Sequence, residues 1–75
     1  MEINKEDIIE RLKLFLKLST YTYIQDIFDF NMNGFVKKIN ENSIIFKDDE
    51  LGEIPIRILD IKKLSYSTKN KEEKK

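Results

Sequence analysis

Carboxylates are the groups in this chain best placed to do chemistry. Asp48, Asp49, Glu50 and Glu53 fall close together, and such a density of oxygen ligands could hold a hard cation. A calcium loop, however, repeats Asp or Asn at alternate positions ahead of a Gly, and that spacing is absent. The group reads as a solvated turn. Asp26 and Asp29 could form an acid pair, but their neighbours offer neither the burial nor the charge that raises a carboxyl pKa into the working range. His and Cys are missing altogether, which removes the commonest general base, the thiolate nucleophile and the soft metal ligands. Gly34 and Gly52 are the only glycines, too few and too far apart for a phosphate-cradling loop. The sequence therefore predicts a non-enzymatic protein with no catalytic residue, no metal site and no cofactor.

Binding chemistry is better represented. Arg57, Lys37 and Lys38 could hold phosphate or base, and Phe30 and Tyr66 could stack on single-stranded bases. Each has a plainer role as well: Phe30 alternates with apolar residues and could belong to the core, the two lysines could be solvated, and Arg57 could bond backbone carbonyls at a corner. For contact with another protein the candidates are Leu14 and Leu18, which lie off the main apolar stripe of a helix, and Pro55, which has no N–H to give to a neighbouring strand.

Charge separates these possibilities only in part. The 14 basic and 14 acidic residues cancel, yet residues 19–61 hold four basic against eight acidic ones, and residues 62–75 hold six lysines against Glu72 and Glu73. A nucleic-acid-binding domain usually carries a basic face or stripe. Here only the tail is basic.

These residues must be held by a small scaffold. With 75 residues a single core supplies about 3–5 kcal/mol, and neither disulfides nor a Cys/His metal site can add to it, so association is the expected aid. Asn4, followed by Glu6 and Asp7, predicts a helix start. Ile8, Ile9, Leu12, Phe15 and Leu16 share one stripe, with Asp7 and Arg11 spaced as an i,i+4 ion pair. From Ser19 onward Thr20, Tyr21, Thr22, Tyr23 and Ile24 favour a strand, so the helix ends near Ser19.

Phe28, Phe30, Met32, Gly34 and Val36 recur at every second position, as on one face of a long strand. Two registers fit this stretch. Either the turn lies near Gln25-Asp26 and Gly34 permits a bend within the next strand, or Asn33-Gly34 is itself a hairpin turn. Further strands are expected at 43–47, 53–59 and 62–67, separated by turns at Asn40-Glu41-Asn42 and Asp48 to Gly52 and by a corner at Asp60-Ile61. The expected fold is mainly β with one N-terminal helix: a five-stranded, strongly bent antiparallel barrel over residues 1–67, followed by a disordered Lys/Glu-rich tail at 68–75.

This order resembles the Sm-like superfamily, the LSm and Hfq proteins. Ile56-Arg57-Ile58-Leu59-Asp60-Ile61 is similar to the second Sm motif, with Ile58 in place of its Gly. Gly34, Val36 and Ile39 match the first motif in step, which favours the register that bends at Gly34. Asn40, Ser43 and Ile44 then replace that motif's Asp, apolar residue and base-contacting Asn, and the His of the Hfq-type element is lacking. A similar C-terminal pattern also occurs in YolD-like and other SH3-like small barrels. The resemblance implies a ring, a hexamer or heptamer, that binds RNA.

Two functions fit: a protein-interaction or self-assembling module, which the acidic body favours, and a ring-forming protein that binds single-stranded RNA. The chain is expected to be a cytoplasmic homo-oligomer, with no signal peptide and no membrane-spanning segment of ~20 apolar residues.

Overall fold

The structure, a computed structural model, describes residues 5–68. The cap expected at Asn4, and all of the tail expected at 68–75 except Thr68, lie outside the described residues. Helix α1 runs Lys5–Leu18, with Glu6 and Asp7 in its first turn and Lys17 in its last, each at the end whose partial charge it complements. Ile8 and Leu12 are buried, and Ile9 and Phe15 pack beside them. Leu16, expected in the same stripe, is exposed. The buried stripe is thus narrower than its sequence pattern, limited to the side of the helix that faces β2, β5 and the 3₁₀ turn.

The helix stops at Ser19, as expected, by a specific device. The amide of Thr20 donates to the carbonyl of Phe15 at 3.0 Å and that of Ser19 to Leu16 at 3.3 Å, with Ser19 at φ 53°. This is the paired-bond, left-handed termination usually made by Gly.

Five strands follow: β1 Thr22–Asp26, β2 Asn31–Ile39, β3 Ser43–Asp48, β4 Gly52–Arg57 and β5 Ile61–Tyr66, with a 3₁₀ turn at Ile58–Asp60 before β5. All neighbours are antiparallel, in the order β4-β3-β2-β1-β5. The first four strands form a meander, and the 3₁₀ turn carries the chain across to pair β5 with β1.

The register with Gly34 inside a strand is the one adopted. Gly34 lies opposite Thr22 on one side and Asp48 on the other. A Cβ there would stand 1.8 Å from the carbonyl oxygen of Lys47, so only glycine lets β3 approach this closely. A bulge between Val36 and Lys38 then bends the strand further. The alternation read from Phe28 to Val36 starts too early, however. The strand begins at Asn31, and Phe28 and Phe30 sit in the preceding turn, both exposed. The corner also comes earlier than expected, at Ile58–Asp60, which shortens β4.

The core gathers Ile24, Met32, Val36, Ile44, Phe46, Ile56, Ile58, Ile61 and Leu64 against Ile8 and Leu12 of the helix. The chain is thus mainly β with one N-terminal helix. Its strand order leaves β4 and β5 as unpaired edges, so the sheet is open where a closed barrel was expected. No helix among the described residues is long and apolar enough to cross a membrane.

Candidate interaction surface

Two open edges and one apolar end are the features through which this sheet can meet another molecule. Hydrogen-bonding direction alternates along an antiparallel strand, so one known bond fixes the rest. Ile58 donates to Asn42 at 2.9 Å, which in the register of β3 and β4 makes 44/56 and 46/54 the bonded pairs. Glu53, Pro55 and Arg57 therefore turn their backbone groups outward. Pro55 sits where its missing N–H leaves no internal bond unmade, as expected for an edge.

Beside this edge lies a cleft of about 310 Å³ lined by Phe30, Met32, Ile54, Pro55 and Ile56, with Asp26, Arg57 and Asp60 at its rim. It continues into an apolar end made by the turn between β1 and β2 and by the 3₁₀ turn. Phe28 is 77% exposed and Leu59 68%, with Ile27 and Phe30 about half exposed.

That end is held rigidly. Asp26 Oδ1 accepts from the amides of Phe28 at 2.9 Å and Phe30 at 3.0 Å, and Ile27 donates to the carbonyl of Asp60 at 2.9 Å. Asp29, in the left-handed region at φ 66°, accepts from Lys62 Nζ at 2.7 Å. The Lys62 ammonium holds the Asp29 carboxyl below its usual range. Apolar side chains on a turn fixed at this many points form a contact surface ordered before any partner arrives.

At the other end of the sheet Asp48 is buried and accepts from the amides of Glu50 at 2.8 Å and Leu51 at 2.9 Å, so this acid shapes its turn. Asp49 accepts from the hydroxyl of Tyr21. Desolvation, then the hydrogen bond to Asp49 and the charges of Asp49 and Asp48, push the Tyr21 phenol up to about 12.

The residues singled out in the sequence are divided among these features. Phe30, Pro55 and Arg57 share the cleft; the Arg57 guanidinium lies 3.9 Å from Asp60 and is mostly exposed. Lys38 stands in one cross-strand row with Ile45 and Pro55, and Lys37 occupies the bulge; both lysines are exposed. Tyr66 is on the far edge, lining a polar groove with Tyr23, Asn31, Asn33, Ser65 and Ser67. Leu14 and Leu18 are exposed on the helix and line neither the cleft nor the groove.

The sequence reading does not single out Ile27, and it places Phe28 on a strand face and Leu59 within a motif, so the exposed apolar end they form with Phe30 is missed. So is the bond from Arg11 Nη1 to the carbonyl of Leu64, at 3.1 Å. No family model and no curated protein matches this chain.

Proposed function

We propose that this chain is a non-enzymatic small barrel of the Sm-like or SH3-like kind, acting as a protein-interaction or self-assembling module. The observation that carries this reading is the apolar cleft lying directly beside the open β4 edge. An added strand finds backbone partners at Glu53, Pro55 and Arg57 and a place for its apolar side chains against Phe30, Met32 and Ile54. In this reading the added strand completes the barrel that the isolated sheet leaves open, and the acidic body favours a protein partner or a second copy over nucleic acid.

Proline scanning of the edge tests it. Arg57 has φ −74°, close to the value proline imposes, and its N–H faces outward. Arg57→Pro is expected to leave thermal stability nearly unchanged and to weaken association at least tenfold, measured by light scattering after size exclusion or by pull-down. Association unaffected by Arg57→Pro and by Phe28→Ser would overturn the proposal.

Ring-forming binding of single-stranded RNA is the second reading. Tyr66 beside the polar groove favours it, since aromatic and amide side chains together suit unstacked bases. Its affinity for an oligonucleotide would fall by orders of magnitude between low and moderate salt, whereas association through apolar and backbone contacts would barely respond.

A further inference from the structure

The outer face of the sheet carries a groove across β1, β2 and β5. Strand register sets out its residues: Asn33, Tyr23 and Ser65 lie abreast, with Asn31 two residues back along β2 and Ser67 two residues beyond Ser65. Thr22 and Ile24, the alternate residues of β1, are buried on the core side, so this row faces away from the helix. The groove encloses about 410 Å³, within the range of small-ligand sites.

Its polar groups are already oriented. The Tyr23 hydroxyl donates to Asn31 Oδ1 at 2.7 Å, and the Ser67 hydroxyl donates to Asn33 Oδ1 at 2.7 Å. With each amide oxygen engaged, the two Nδ2 groups are left to donate into the groove, from positions ~7 Å apart along the strand. The Ser65 hydroxyl donates to the carbonyl of Tyr66 at 3.2 Å. The protons of Tyr23 and Ser65 are both committed, so their oxygens are left to accept.

Amide donors thus stand beside hydroxyl acceptors. A carboxylate or phosphate matches only the donors and an ammonium only the acceptors, whereas a neutral hydroxyl matches both. Charge points the same way. Among the described residues, none lining the groove is charged. Asn33 is bracketed by acids, its amide donating to Asp48 Oδ1 at 3.3 Å and its carbonyl accepting from the Asp49 amide at 2.9 Å, and this disfavours phosphate.

We infer that the groove is a carbohydrate site, taking a neutral pyranose chain whose hydroxyls accept from Asn31 and Asn33 and donate to Tyr23 and Ser65. The C–H face of one sugar lies against the Tyr23 ring, whose π-face is electron-rich. The β4 edge has no part in this face, so the inference stands apart from the reading above.

Titration of the ¹⁵N-labelled chain with cellotetraose, maltotetraose and chitotetraose, followed by NMR, reads the side-chain amides of Asn31 and Asn33 directly. At least one of these sugars is expected to shift both amides, with an affinity unchanged between low and moderate salt. Asn31→Asp keeps the acceptor for Tyr23 and replaces the donor, and is expected to weaken binding about tenfold. Tyr23→Phe, which keeps the ring, should weaken it less than Tyr23→Ala. Thermal melts of the variants separate loss of binding from loss of fold. Silence of all three sugars, shifts confined to residues outside the groove, or binding indifferent to Asn31→Asp and Tyr23→Ala overturns the inference. Shifts of the same amides by hexauridylate, with the sugars silent, overturn it in favour of nucleic acid.

Discussion

Asp26 fixes the position of Phe30 through the backbone, its Oδ1 accepting the Phe30 amide at 3.0 Å while the Asp26 amide donates to the Phe30 carbonyl at 3.1 Å. This double clasp closes the turn between β1 and β2 and sets the Phe30 ring at the mouth of the cleft. Asp26→Ala removes the acceptor for two amides and is expected to cost about 1–2 kcal/mol of stability, read from the denaturant midpoint. Binding should weaken more than stability does, since the turn presents Phe28 and Phe30 together. Asp26→Asn, which keeps an oxygen in place, should recover most of both; an equal loss in the two variants would sink this account.

Ser19 occupies a left-handed position without glycine's freedom. Ser19→Gly is expected to stabilise the fold by about 0.5–1 kcal/mol, a rise of a few degrees in Tm for a chain of this size. A fall in Tm would mean that the serine side chain contributes something the backbone geometry does not reveal.

Gly34 tolerates no side chain. Gly34→Ala places a methyl against the Lys47 carbonyl and the Asp48 Cα, and this β3 backbone cannot yield as a flexible side chain would. A loss of about 3 kcal/mol or more is expected, enough to unfold much of the population of so small a domain; amide exchange in β3 should rise first around Lys47.

The Tyr21 phenol titrates late, at about 12 against 10.0 for a free tyrosine. Its folded-state pKa is raised, so its contribution is fully present below pH ~10 and is lost as pH climbs toward 12. Stability should therefore decline across that window in the wild type. Tyr21→Phe should flatten the decline, and tyrosinate absorbance should show one of the three tyrosines ionising last. An unchanged slope in Tyr21→Phe would assign the decline to other groups.

What the sequence made legible was local. Gly34 and Val36 marked a bent strand, Pro55 marked an edge, and the switch to β-branched and aromatic residues after Ser19 marked the end of the helix; each depends on the steric demand of one residue type at one place. Phe28 and Phe30 misled because alternation counts hydrophobicity and is blind to a carboxylate that captures two amides and curls the chain. Asp26 has that power only in a turn, and its bonds form with residues two and four positions on. Arg11 was paired by spacing with Asp7, but its bond to Leu64 spans 53 residues. Such a contact depends on the packing of α1 beside β5, and no periodicity within the helix carries it. The cleft was invisible for the same reason, since Phe30 and Met32, at the start of β2, meet Pro55 and Arg57 of β4 only in the folded sheet, where the two strands are not neighbours.

That crossing also orders events in time. The hairpins from β1 to β4 join neighbours in sequence and close small loops, whereas β5 must find β1 some forty residues back, paying the larger entropy of closure before any reward. In a refolding chain the meander is expected to form first and β5 to arrive late. Until then the meander has β4 and β1 as its two edges, and an early encounter between two copies lets the β5 of one settle on the β1 of the other. Exchange of this strand, with the 3₁₀ turn as its hinge, is the misassembly to which this topology is most exposed.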